Sequence, residues 1–152
     1  MLPILQPLPS YDAAQTVVSA YVLLFLAAFG AATVLPLPSE VPFAYVVRQS
    51  GERGWPVLVA TAGNYLGACT TYLLARLAVA RLMHAETGRW ARATDTIRRF
   101  GAPALLLSWV PVLGDALVAV AGASRIPFVR FSLYTAAGKA ARYGAIAWAI
   151  SR

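Results

Sequence analysis

Residues 13–39 contain no charged side chain, and neither do residues 54–75. Both runs are longer than the ~20 apolar residues needed to cross the hydrocarbon core of a bilayer. Composition agrees, with 59% hydrophobic and 12% charged residues, against roughly 45–50% and 25% in soluble domains. These runs predict an all-α integral membrane protein, and a length of 152 residues suggests one domain. A net charge of +7 in a soluble chain would suggest nucleic acid. Here the basic residues sit in short segments between apolar ones, the pattern of positive-inside topology, so no nucleic-acid partner is expected.

Two segments inside this apolar frame share a pattern. Leu35-Pro36-Leu37-Pro38-Ser39-Glu40 and Val110-Pro111-Val112-Leu113-Gly114-Asp115 each place a carboxylate four positions after a proline. Proline removes a backbone donor and breaks a helix. A carboxylate at membrane depth costs about 2.5–3.5 kcal/mol on insertion scales. A chain that carries both costs twice, in matching places, is expected to be built around a polar site within the bilayer.

The pass along the chain gives an expected organisation. Residues 1–12 form an N-terminal lead-in without the features of a cleavable signal peptide. Residues 13–33 read as a membrane helix. Residues 34–47, with Pro36, Pro38 and Pro42 around Glu40, read as a broken or re-entrant segment, tolerated at depth only where protein or a cavity covers it. A polar turn at 48–54 leads into a second membrane helix, 55–75. Residues 76–99 are the basic amphipathic segment, expected in the cytoplasm. Residues 100–124 repeat the apolar–proline–carboxylate theme, and residues 131–151 form a last helix. The expected domain is thus 13–151, with 13–75 and 100–151 as two repeats. Each repeat contains one re-entrant helical hairpin, with about three spanning helices in all. An odd number of crossings per repeat inverts the second relative to the first, the transporter plan that places a site between the repeats near the midplane. The C-terminus is then expected near the periplasmic face.

The candidate site residues are Glu40, Asp115, Lys139 and Arg142, all in or beside apolar sequence. Lys139 and Arg142 are three apart and share a helix face. Ionisable groups at such depth face the interior and pair with one another. One reading is an internal ion-pair network that holds the hairpins to the last helix. The other is a polar cavity in which the carboxylates relay protons and the cations meet an anionic headgroup. Pro36, Pro38 and Pro111 would end the incoming half-helices, so that the next half-helix starts with free N–H groups facing the cavity. Ser39 and Gly114 stand near those starts, where a phosphate could bind or where Ser39 could simply cap a helix. Asn64 is expected to make an interhelical hydrogen bond, Trp109 to line the cavity, and Gly63 and Gly67 to pack closely as a GxxxG pair. Tyr143 and the other membrane tyrosines are expected as packing or interface anchors. Cys69 cannot form an intrachain disulfide, because it is the one cysteine. His84, the one histidine, has no carboxylate or thiol cluster around it, so no metal and no cofactor is expected. G-x-S-x-G, H-E-x-x-H and P-loop motifs are absent, and the chain is not expected to be an enzyme.

Several runs resemble the YqaA family of the DedA superfamily, whose shared unit is the VTT domain. They are Ser39-Glu40, Gly63-Asn64-Tyr65-Leu66-Gly67, Leu107-Ser108-Trp109-Val110-Pro111-Val112-Leu113-Gly114-Asp115, Ala121-Gly122 and Gly138-Lys139-Ala140-Ala141-Arg142-Tyr143. The resemblance covers roughly residues 15–150. It implies a small, multi-pass bacterial inner-membrane protein with two opposed re-entrant hairpins, in a superfamily implicated in membrane homeostasis. Some members translocate polyprenyl phosphate or phospholipids, and some depend on the proton-motive force. Other DedA proteins carry F-x-R-[FY]-x-P-x-x-R around the second hairpin. Here Ser108 and Trp109 precede Pro111, and Gly114 and Asp115 follow it. Those arginines are missing, and Lys139 and Arg142 would have to take their place.

The expected function is a transporter or flippase-like role for a lipid-linked or other anionic substrate, proton-coupled through Glu40 and Asp115. Membrane lipids are the expected partners, polyprenyl phosphate or phospholipid among them, and a homo-oligomer is compatible with the pattern. The alternative is a non-transporting scaffold or chaperone-like protein whose buried charges are structural. A third reading is proton-coupled export of a small cation.

Overall fold

The computed structural model describes residues 11–33, 39–77 and 88–150, with backbone only at 11–14 and 88–91. Pro36, Pro38 and His84 lie outside the described residues. Every regular element among the described residues is helical. In order these are α1 (Tyr11–Ala31), α2 (Glu40–Ser50), α3 (Gly54–Leu77), α4 (Gly88–Phe100), a 3-10 segment (Ala102–Trp109), α5 (Leu113–Ala123) and α6 (Phe128–Ile150).

Prolines mark where these helices begin. Pro42 and Pro56 fall in the first turns of α2 and α3, Pro103 opens the 3-10 segment, and Pro127 immediately precedes α6. A first-turn N–H has no intrahelical partner, so proline costs nothing there. Pro42 therefore belongs to a helix, not to the break expected over 34–47. Gly51, at φ 67°, ends α2 in the left-handed conformation.

Close glycine contacts set the helix directions. A Cβ on Gly63 would lie 2.5 Å from the Phe25 carbonyl oxygen, and one on Gly67 would collide with that of Phe29. Further along, Thr71 Oγ1 donates to the Ala32 carbonyl at 3.0 Å. Partner numbers rise together, so α1 and α3 run in the same direction. The end of α1 is level with Thr71, inside α3 and short of its C-terminus. The GxxxG pair packs as the sequence suggests. Against α6 the order reverses. Asn64 meets Lys139 and Tyr143, whereas Tyr72 stacks on Phe131 at 4.3 Å and donates to the Ile126 carbonyl. The two longest helices are therefore antiparallel.

Two apolar cores lie along this pair. One gathers Tyr72, Leu105, Leu117, Val118 and Phe131, and the other Leu24, Phe43, Val46, Ala60 and Tyr143. Asn64 and Lys139 fall between them on both helices. Outside, large apolar side chains stay uncovered, with Val18 63% and Leu133 66% exposed. Exposed apolar side chains of this size suit an inner-membrane protein's contact with lipid. Of the described helices, α3 alone is both long and apolar enough to cross a bilayer unaided. About three such helices are expected from sequence, but α6 carries Arg130, Lys139 and Arg142, and the apolar part of α1 is short. Within 76–99, residues 78–87 lie outside the described residues. Helix α4 buries Ala93 and Ile97 and exposes Arg92, Arg98 and Arg99.

The second proline turn is strained. Val112 sits at φ 69°, ψ −49°, and the Leu113 N–H donates to the Pro111 carbonyl at 2.7 Å. This is the γ-turn with positive φ at its centre, a rare form and unfavourable for a β-branched residue. It follows eight residues of 3-10 helix, longer than such runs usually extend. Strained φ/ψ costs roughly 1–3 kcal/mol. Val112→Gly is therefore expected to raise the thermal unfolding midpoint of the purified protein, while Val112→Ile leaves it unchanged. A lower midpoint for the glycine variant would show that the turn holds no strain.

Candidate functional site

Asn64 and Lys139 sit near the midpoints of α3 and α6, each directly after a glycine that lets a neighbour approach. Lys139 is 2% exposed and its Nζ donates to Asn64 Oδ1. The Asn64 amide in turn donates to Tyr143 Oη at 3.3 Å. Tyr143 Oη and Ser39 Oγ share a 2.9 Å hydrogen bond. A buried polar chain thus runs Lys139–Asn64–Tyr143–Ser39 and ties α6, α3 and the start of α2 together. Each link is a group that would be costly to bury alone.

Ser39 corrects an expectation. It occupies the N-cap position of α2, but its backbone is αR (φ −74°, ψ −11°) and its hydroxyl makes no capping bond. From that conformation the hydroxyl cannot fold back onto the first turn. It reaches across to Tyr143 instead.

Of the four charged candidates, Glu40 and Arg142 form an ion pair, whereas Asp115 and Lys139 make no salt-bridge contact. Arg142 Nη2 contacts Glu40 Oε1 in an ion pair, with the two side chains 18% and 40% exposed. Asp115, half-buried in the first turn of α5, lies within electrostatic reach of Lys139. Lys139 and Arg142 lie one turn apart on α6, yet they serve different helices. Gly114, beside Asp115, lets α5 touch the Ser108 backbone, where any Cβ would collide.

The start of α5 is less open than expected. The N–H groups of Leu113 and Gly114 donate to the carbonyls of Pro111 and Val110. Asp115 adds negative charge to the same end of α5. A phosphate cradle of free backbone N–H groups is not formed there. Pro111 is exposed, and Trp109 is half-exposed and outside the polar chain. Tyr143, expected from sequence only as a packing or interface anchor, is the hub of the chain.

The VTT domain profile matches residues 13–152. The chain is 41% identical over 126 residues to the inner membrane protein YqaA of Escherichia coli, covering 82% of this chain and 86% of that one. The inner membrane protein YqaA of Shigella flexneri gives the same values. An uncharacterized protein of Haemophilus influenzae is 41% identical over 131 residues, covering 81% and 82%. No solved structure matches the chain.

Proposed function

This chain belongs to the VTT domain family, and we propose that it is a multi-pass inner-membrane transporter or flippase-like protein for a lipid-linked or other anionic substrate. The observation that carries this reading is the Asn64–Lys139 contact. It sets a polar layer between two apolar cores, at the crossing of the two longest helices. A buried ammonium is expensive in such a place, and ionisable groups kept there mark substrate or ion pathways.

We read the two halves as an inverted repeat, an arrangement that fits the same function. Each half runs through a short helix of 11 residues, then a long one of 24 or 23. The long helix of each half touches the short helix of the other, extensively between α3 and α5 and more lightly between α6 and α2. The level at which α1 ends, inside α3, fits a re-entrant first hairpin. Arg76, Arg125 and Arg130 gather at one end of the α3–α6 pair, the end we assign to the cytoplasm. Glu40 and Asp115 are the groups through which protons would couple to transport.

A second reading is favoured by one observation. The Ser39–Tyr143–Asn64–Lys139 chain and the Glu40–Arg142 pair both join α2 or α3 to α6, as a purely structural scaffold would need. Reconstituted protein separates the two. Proteoliposomes are expected to translocate a fluorescent polyprenyl phosphate or an anionic phospholipid faster than empty vesicles, and faster still under a pH gradient. No translocation of any anionic lipid, with or without the gradient, would favour the scaffold.

A further inference from the structure

Helix α4 turns its charged face away from the protein. Ala93 and Ile97 are buried in the core shared with Tyr72 and Phe131, while Arg92, Arg98 and Arg99 are exposed. That core contact fixes where the helix lies. Tyr72 donates to the Ile126 carbonyl and accepts from Arg76 Nη1 at 2.8 Å. Helix α4 therefore stands at the end of the α3–α6 pair that carries Arg76, Arg125 and Arg130. Among the described residues, six exposed arginines meet there with one carboxylate, Asp95. None of the six is in an ion pair, since the ion pair among the described residues is Glu40–Arg142.

Surface arginines often form no more than a solvated face, and Arg98 and Arg99 also complement the C-terminal end of the α4 dipole. Two observations go beyond that. The apolar side chains among these arginines are uncovered, with Phe100 58%, Phe128 47% and Val129 69% exposed. Arg99 also lies over the Phe100 ring, 5.4 Å from its centre. Cations interleaved with bare aromatic rings, at one end of apolar helices, suit the headgroup boundary of a bilayer. Rings rest there at the edge of the acyl region, and guanidinium forks match phosphate geometry. The opposite end lacks this charge excess, because Glu52 stands between Arg48 and Arg53 in the α2–α3 turn. We propose that α4, with the adjoining ends of α3 and α6, forms a docking surface for the headgroups of anionic phospholipids, centred on Arg92, Arg98 and Arg99. This surface is separate from the Asn64–Lys139 layer and stands whether the chain transports or serves as a scaffold. A topology signal acts during insertion alone, whereas a docking surface gives the finished protein a lipid preference.

The test uses the purified full chain in detergent, titrated with phosphatidylglycerol or with phosphatidylcholine. Native mass spectrometry counts the lipids bound and gives an affinity for each. The wild type is expected to prefer phosphatidylglycerol. Arg92→Gln, Arg98→Gln and Arg99→Gln are each expected to weaken its binding about fivefold, the effect of one arginine near an anionic surface. Phosphatidylcholine binding is expected to stay unchanged. Arg48→Gln/Arg53→Gln is the control at the opposite end and is expected to keep the wild-type preference. Lipid-free unfolding midpoints are expected to stay unchanged, because the three arginines hold no ion pair. Arg98→Lys/Arg99→Lys keeps the charge whatever the glutamine variants do to folding, and is expected to retain most of the affinity. Phosphatidylglycerol affinity in it no higher than for phosphatidylcholine would overturn the proposal. Equal affinity of the wild type for the two lipids overturns it as well. So does an unchanged preference in the triple glutamine variant, which leaves the arginines to topology or to an acidic protein partner. An equal loss in the control variant assigns the preference to overall charge and overturns the surface too.

Discussion

Lys139→Met is expected to destabilise the protein severely, and adding Asp115→Asn is expected to restore it. Removing one partner of a buried pair costs about 3–5 kcal/mol, because the other charge is left without compensation. Asp115 is half-buried and makes no salt-bridge contact with Lys139, so the lower end of that range is the upper bound. Replacing both partners by neutral groups of similar volume is often neutral or stabilising. Methionine follows the lysine stem closely and keeps its packing. It leaves Asn64 Oδ1 without its donor, a smaller loss of roughly 1 kcal/mol. The midpoint of unfolding in detergent should therefore fall sharply in Lys139→Met and return most of the way in the double variant. A double variant as unstable as the single one would mean that Asp115 does not face Lys139, and that Asn64 alone holds the lysine.

Gly122→Val is expected to abolish folding of the whole chain. Any Cβ on Gly122 would overlap the Tyr72 carbonyl oxygen, which belongs to the backbone of α3 and cannot swing aside. Helix α5 would have to move away from α3 and open the core of Tyr72, Leu117, Val118 and Phe131. Overpacking of this kind commonly costs about 1–3 kcal/mol, and more where backbone meets backbone. Gly144 is the internal control, because a Cβ there meets nothing within 4 Å. Gly144→Ala should be neutral or slightly stabilising, by up to about 1 kcal/mol. The yield of monodisperse protein on size exclusion reads both. Normal yield of Gly122→Val would show that α3 and α5 do not touch as described.

Much of this architecture is legible in the sequence. The uncharged runs coincide with the apolar helices α1 and α3, the Gly63–Gly67 spacing marks the α1–α3 contact, and charge placed in apolar sequence marks Glu40, Asp115, Lys139 and Arg142. How those charges pair is less legible. Lys139 and Arg142 share a face by spacing, but which helix each one meets depends on the crossing of α3 and α6, a tertiary fact. Ser39 reads as a cap because capping is the local use of serine, yet the αR backbone at that residue sends its hydroxyl to Tyr143. The strain at Val112 is invisible for a similar reason. Pro111 signals a turn, but the turn type follows from how Gly114 and Ser108 pack.

The most direct measurement is lipid translocation by the Lys139→Met/Asp115→Asn double variant, reconstituted beside the wild type at matched amounts of folded protein. If the polar layer at the α3–α6 crossing is a transport site, the wild type moves a fluorescent polyprenyl phosphate and the stable double variant does not. Equal rates for the two proteins would contradict that account and leave the buried charges with a structural role.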